Sequence, residues 1–586
     1  MELLYLYIRD DHRNIKNCEF NFSPNYKFSF DGKKKTFSLI KETNIEHWFG
    51  SNISNITAVI GKNGAGKSNM IECLINALCY QDGDIVIFKY KGVLWTNLHS
   101  HLTNYKFDFE IHRMSRGGSP LDTGFPEHVD DAAVIYYSPT IDRRISGNNY
   151  HCFTDISNAF LLRTAQQNTF NSIPDFAKSA DVDYMQLVDT FRLMLFFIYT
   201  KKHNLKIPED LRRPQYLNIS LLLYNDEPTD KNYRKIKSEC DDTFPGKLKY
   251  FMLWQFYMSK ALPKDKEMSF DNIILFFNHN EPYRPNMYNL LVELYKNGKI
   301  KYNNDISRNT KRNELLFSIE TNSISNELLN AIYCYYYINQ IAPYASFRTL
   351  NLVQNIKNDS IKINWDGMSS GERSFYNLLS RLCGEIYKKE GEINNAAENK
   401  IEISNEYDNK SIILFLDEAE LSMHPEWQQK FINMLIDSFQ KLFPKIEFQI
   451  IIASHSPILI SDIPKRNIIF MDKNKDGTCK ICNALNRKET FGANIHTLFN
   501  DSFFLNGLPI GDFAKYKIQE LFNRAILDHE CTPSLLYEIN LIGEPLLKNK
   551  LKELFDKNKD HLSNAEKIKV LESELKLLKN KENDKN

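Results

Sequence analysis

The chain has 586 residues, 42% of them hydrophobic and 25% charged, which excludes disorder of the whole chain and leaves room for two or three structural units. Lysine plus arginine equal aspartate plus glutamate at 74 each, so the net charge is zero and the balance does not mark a nucleic-acid coat. Met1–Arg9 lacks a basic n-region and no run approaches the ~18 apolar residues of a bilayer span, so the expectation is a cytoplasmic protein with no membrane contact.

In chain order, Leu3–Ile8 and Lys27–Phe30 read as strands, with Asp31-Gly32 as a turn between hairpin arms. Ile56–Ile60 is a continuous apolar run of the kind a strand buried on both faces requires, and Ser68–Leu78 after it has helical character. Val134–Ser138 repeats the strand pattern and ends at Pro139. From about Asp155 to Leu350 the character changes. Tyr184–Thr200, Lys247–Met258 and Ile324–Ile341 show helical spacing, without the sustained heptads of a coiled coil. The α/β pattern resumes near Ile361. Ser374–Lys389 and Pro425–Phe443 read as helices, Glu390–Lys410 as an exposed polar loop, and Ile412–Leu416 and Gln449–Ala453 as buried strands. Ser563–Asn586 reads as a Lys/Glu-rich amphipathic helix fraying into a charged tail. The expected organisation is an α/β head in two lobes, 1–150 and 351–510, split by a mainly helical insertion at 151–350 and followed by a helical region at 511–586.

Ten cysteines are scattered along the chain. Cys479 and Cys482 form one C-x-x-C, but no second pair or nearby His completes a zinc site. They follow Asp476-Gly477-Thr478, a hairpin turn, and read as ordinary strand residues. Asp472, Asn474 and Asp476 are spaced like metal ligands, yet the same polar turn accounts for them. Lys33–Lys35, Arg212-Arg213 and the stretch from Lys296 to Arg312 read as solvated faces, and Tyr335–Tyr337 as core or interface.

Four motifs carry chemistry. Gly61-Lys62-Asn63-Gly64-Ala65-Gly66-Lys67-Ser68 is a full G-x-x-x-x-G-K-S, directly after the Ile56–Ile60 strand and at the head of a helix that continues with Asn69. Glycines let backbone N–H groups turn toward phosphate oxygens, and the helix N-terminus adds positive potential. Lys67 suits the β- and γ-phosphates, and the Ser68 hydroxyl suits Mg²⁺. Asp417 and Glu418 emerge from the apolar run Ile412–Leu416, where Asp417 suits the Mg²⁺ water network and Glu418 the activation of an attacking water. Ser369-Ser370-Gly371-Glu372 heads a helix and offers a hydroxyl, small residues and free N–H groups. Taken alone, that quartet is also an ordinary helix cap with a carboxylate in the first turn. His455 follows the strand Gln449–Ala453, where a structural hydrogen-bonding role is the plainer reading of a lone His.

Their order resembles ABC-type ATPases: Walker A, a signature with Met368 for Leu and Ser370 for the first glycine, Walker B, then a switch histidine. The resemblance implies an ABC-type P-loop head that binds ATP and Mg²⁺ and hydrolyses ATP in a head-to-tail homodimer or higher oligomer. There Ser369, Ser370, Gly371 and Glu372 of one subunit would close over nucleotide held by the other, with Glu418 and His455 catalytic. Ala419-Glu420-Leu421, His424-Pro425 and Trp427-Gln428 are similar to the branch that holds the chromosome-maintenance and recombination ATPases and the overcoming-lysogenisation-defect nucleases. Phe491–Ile495, Asp501–Leu505 and Ile542–Leu546 resemble the Septu-type anti-phage ATPases, which also occur in some retron systems. The motif resemblance covers 1–150 and 350–510.

Some family features are missing. No glutamine stands where the Q-loop belongs, near Tyr137-Ser138-Pro139; Asp142 or another residue is the substitute. Arg13 and Asn14 are candidates to approach the nucleotide. The residues after His455 contain no D-x-D, so the metal-binding nuclease domain of the lysogenisation-defect branch is not expected. The resulting expectation is a regulatory ATPase of an anti-phage system with a partner nuclease. The alternative is a repair ATPase that clamps DNA directly, a contact to which the neutral net charge lends no support.

Overall fold

A computed structural model of the protein describes residues 1–9, 12–42, 48–79, 84–98, 104–113, 132–141, 153–162, 182–223, 231–258, 287–302, 313–336, 361–387, 410–421, 423–484, 487–501, 511–560, 563–564 and 566–572. The chain divides into two units, Met1–Phe504 and Leu505–Asn586. The loop expected at Glu390–Lys410 lies outside the described residues except for Lys410, and so do Asp142, 303–312, Tyr337 and the end of the C-terminal tail.

The fold of the first unit is mixed α/β. Its central sheet has seven strands in the order Phe153–Asp155, Ala132–Tyr137, Ser411–Asp417, Glu447–Ser454, Ile53–Gly61, Ile468–Lys473 and Cys479–Cys482. The first six run parallel, and only the last is antiparallel. Every residue of Ser411–Asp417 is buried, as its unbroken apolar run demands of a strand covered on both faces. Alternate residues serve the two covers. Ile412, Leu414 and Leu416 join one core with Phe375 and Leu435, whereas Ile413 and Phe415 join a second with Met70, Ile71 and Leu74 of the helix Lys67–Cys79.

The N-terminal strand Glu2–Ile8 belongs to a separate five-stranded sheet. Buried Gln449 ties it to the central sheet by mimicking a strand neighbour. Its amide accepts from the Leu3 N–H at 2.6 Å and donates to the Leu3 carbonyl at 2.7 Å. The hairpin expected around Asp31-Gly32 is present, with Tyr26–Asp31 antiparallel to Thr36–Lys41. Cys479–Cys482 is a strand antiparallel to Ile468–Lys473, with Gly477 at φ 84° in the turn between them.

The helices expected in the middle of the chain appear as Val182–Lys202, Phe244–Met258 and Asn326–Tyr336. The same region also carries strands that helical spacing does not announce. Tyr216–Leu223, Ile300–Tyr302 and Asn313–Glu320 form an antiparallel sheet with Ile361–Trp365. Phe153–Asp155, just past residue 150, is an edge strand of the central sheet. Phe191, Leu217 and Phe317 of the middle region share one core with Leu414, Phe375 and Phe431. A buried ion pair reinforces that union: Arg381 donates to Asp189 through Nε at 3.0 Å and Nη2 at 2.5 Å, and Arg192 adds a contact at 3.1 Å. It pins the helix Val182–Lys202 to the helix Ser370–Ile386.

The second unit packs the helices Asp512–Ile526, Pro533–Leu541 and Pro545–Lys559 around Leu521, Leu535, Leu551 and Phe555. Among the described residues, no helix is long and apolar enough to cross a membrane.

Candidate functional site

The site stands on three adjacent parallel strands whose carboxyl ends finish level. Asp417 pairs with Ala453, Ala453 with Val59, and Ser454 with Ile60. The glycine-rich loop, the Asp417-Glu418 pair and His455 therefore leave the sheet side by side, in the region where parallel sheets bind ligands.

The loop from Gly61 to Gly66 needs its glycines for distinct reasons. A Cβ on Gly61 would meet the Met471 carbonyl oxygen at 2.1 Å, a backbone atom that cannot swing away. Gly64 and Gly66 sit at φ 70° and 106°, in the left-handed region. Lys67 is buried and folds back over the loop, donating to the Gly61 carbonyl at 3.1 Å. Asn14, expected near the nucleotide, donates to the Gly64 carbonyl at 3.0 Å and accepts from Asn69 at 2.7 Å. Arg13 reaches Asn69 at 3.1 Å and Glu72 at 3.1 Å. The loop is thus braced from the N-terminal segment as well as from its own strand. Asn63 is exposed, Ala65 is buried, and Ser68 and Asn69 are partly buried.

Three carboxylates face Lys67. Burial pushes its amine down to about 8, although Glu418, Asp417 and Glu420 pull the other way. Asp417 is buried and accepts from the Tyr136 hydroxyl at 3.2 Å. Glu418 stands at φ 53°, held there by its N–H donating to the Ala453 carbonyl at 2.9 Å, and its side chain is part-exposed. His455 Nε2 lies 3.6 Å from Glu418 Oε1. Burial, joined by the charge on Lys67, holds the His455 imidazole down at about 4, so it is neutral at pH 7. Glu420 accepts from the Ser454 hydroxyl and from the His455 N–H at 3.3 Å, and burial raises its carboxyl. The sequence reading gave Glu420, Ser454 and Tyr136 no place in the site. Only the cross-strand register brings them there.

The donor set fits a divalent cation. Glu420 Oε2 is buried with no hydrogen-bond partner among the described residues, and three carboxylates oppose one ammonium in a small volume. Oxygen-rich, anion-heavy surroundings of this kind suit a hard cation.

Lys67 gives the site a pH dependence with a definite sign. In nucleotide-free protein it is charged below about 8 and neutral above. Phosphate binding favours the charged form, so nucleotide affinity should fall about tenfold per pH unit above that point. Titration of a fluorescent ATP analogue at pH 7 and pH 9 measures this. Lys67→Met should flatten the slope, and an equal slope in that variant would assign the effect to another group.

The quartet Ser369–Glu372 has structural duties of its own. The Ser369 hydroxyl accepts from the Glu372 N–H at 3.2 Å, and the Glu372 carboxylate accepts from the Ser369 N–H at 2.8 Å. This is the capping box of a 17-residue helix, the plain reading that the residues allowed. Gly371 is buried against Trp427, and a Cβ there would meet Trp427 Cγ at 2.9 Å. Ser369 and Ser370 remain exposed at the helix N-terminus.

Residues 172–461 match the family model "AAA domain, putative AbiEii toxin, Type IV TA system". The chain is also 22% identical over 477 residues to "Retron Vc95 probable ATPase" of Vibrio cholerae serotype O1 biovar El Tor, across 79% of this chain and 76% of the relative. The family match takes in Asp417 and His455 with the strands that precede them but begins well after the glycine-rich loop, which the sheet order brings to the same edge. The chain is therefore similar at 172–461 to an AAA domain of this description and resembles, over most of its length, a retron-associated probable ATPase.

Proposed function

We propose that this chain hydrolyses ATP as an ABC-type ATPase and acts as the regulatory ATPase of an anti-phage system with a partner nuclease. The level termination of three parallel strands at the glycine-rich loop, the Asp417-Glu418 pair and His455 carries the reading. Backbone N–H groups from Gly64 to Ser68 and the Lys67 ammonium cradle the phosphates. Ser68 and Asp417 would hold Mg²⁺, which would supply charge neutralisation for the phosphoryl group. Glu418, part-exposed and free to reach forward, orients and deprotonates the attacking water. Neutral His455 donates or accepts a hydrogen bond beside it without adding a positive charge that would compete with Lys67. The signature end, Ser369 and Ser370, offers exposed hydroxyls and a long helix's N-terminal dipole to nucleotide held by a second copy.

The partner reading rests on the likeness to a retron ATPase and on the surface of the C-terminal unit, where Phe513, Tyr516, Leu527, Leu541 and Leu546 are exposed. Phosphate release by purified protein tests the activity. Lys67→Ala should reduce it to background, and wild-type turnover in that variant would remove the assignment of the loop.

A further inference from the structure

Behind the glycine-rich loop lies a second cluster of ligand-type side chains that the ATPase reading does not use. His12, Cys73 and Asp84 bring one nitrogen, one sulfur and one oxygen to within 4.8 Å of one another. They come from three separate places: the turn after the first strand, the helix Lys67–Cys79, and the residue just before the strand Ile85–Tyr90. Cys73 and Asp84 are buried, and the His12 side chain is 32% exposed, which leaves one open side. His12 Nε2 already stands 3.3 Å from Asp84 Oδ2.

The donors are held from behind. Asp84 Oδ1 accepts from the Arg9 N–H at 3.0 Å, and the Asp84 carbonyl accepts from Asn97 at 2.8 Å. His12 is fixed in a four-residue turn by two backbone hydrogen bonds with Ile15, at 3.1 and 2.9 Å. Supporting bonds of this kind orient metal ligands. A mixed sulfur, nitrogen and oxygen set selects against Mg²⁺ and Ca²⁺, which want oxygen alone, and suits a four-coordinate ion that takes its last ligand from solvent.

We propose that His12, Cys73 and Asp84 form a binding site for a thiophilic divalent ion of the zinc class, clamping the His12–Ile15 turn onto the helix behind the glycine-rich loop. The clamp matters because that turn also carries Arg13 and Asn14, which hold Asn69, Glu72 and the Gly64 carbonyl. Ion binding fixes the brace of the nucleotide loop. This coupling rests on the ATPase reading, whereas the ion site itself does not.

The test is Co²⁺ titration of chelator-treated full-length protein, followed by absorbance. One equivalent should bind with a thiolate-to-cobalt charge-transfer band. Cys73→Ser should remove that band, and His12→Ala should weaken binding about tenfold or more. Excess Zn²⁺ should displace the cobalt. A band that survives both substitutions at unchanged affinity overturns the site. Should Cys73→Ser not fold, His12→Ala decides the question, since His12 is a part-exposed turn residue. Lys67→Ala should keep the band in full, so failure of the ion site and failure of the ATPase reading are told apart. If both hold, saturating Zn²⁺ should tighten binding of an ATP analogue in wild type but not in His12→Ala; equal affinities would overturn the coupling.

Discussion

Replacing Glu418 by glutamine is expected to lower steady-state ATP turnover by about 10²–10⁴-fold while leaving nucleotide affinity near that of the wild type. The other acidic side chains are poorly placed to substitute. Asp417 is buried under the Tyr136 hydroxyl, and Glu420 is buried beneath Ser454 with a raised carboxyl. His455 is neutral, and burial, joined by the charge on Lys67, depresses its basicity to about 4, so it is a weak proton acceptor. The amide keeps the volume of the carboxylate and meets the same backbone demand at φ 53°. Loss of turnover with retained binding therefore isolates proton acceptance. Phosphate release alongside a binding titration reads both quantities. Turnover within threefold of wild type would move the role of base to another group.

Asp189→Ala is expected to destabilise the first unit by about 3–5 kcal/mol, because it removes the carboxylate that pairs with the buried Arg381 guanidinium. Arg381 spends Nε and Nη2 on Asp189, and Arg192 shares the same carboxylate. Arg381 also donates to the Ile156 carbonyl at 3.0 Å, which cannot neutralise its charge. Asp189→Asn keeps acceptor geometry on one atom and should cost less. Denaturant titration followed by tryptophan fluorescence measures the shift in the first transition. Since Arg381 lies on the helix that begins at Ser370, faster proteolysis of that helix should accompany the loss. An unchanged midpoint in Asp189→Ala would mean that the pair contributes no net stability.

Much of the site was legible because its signals are local. The glycines from Gly61 to Gly66 follow an apolar strand run and precede a helix, and each of those three facts is visible within a dozen residues. Asp417 and Glu418 are likewise marked by the apolar run before them. The position of Glu420 was not legible, since its burial depends on Ser454 arriving from a strand 34 positions away. Strand order is non-local for the same reason. Nothing in the sequence says that Glu447–Ser454 lies between Ile53–Gly61 and Ser411–Asp417.

The antiparallel sheet of the middle region is not legible in the sequence because Leu221-Leu222-Leu223 and Leu315-Leu316-Phe317 blur the two-residue alternation that marks a half-buried strand. Gly371 shows the opposite hazard. A motif glycine invites a ligand reading, yet Trp427 alone is enough to require it. That leaves the exposed hydroxyl of Ser370 as the part of the quartet that neither packing nor the capping box explains.

The exposed Ser369–Ser370 end of that helix bears on whether nucleotide joins two chains through shared sites, and the mass of Glu418→Gln protein in solution, with and without Mg-ATP, tests this most directly. With the carboxylate removed, bound ATP should persist and raise the dimer fraction. Lys67→Ala, which disables the phosphate loop, and Ser369→Arg, which blocks the opposing surface, should each abolish the increase. An identical mass with and without ATP would contradict nucleotide-controlled assembly and leave Ser369–Glu372 as a helix cap alone.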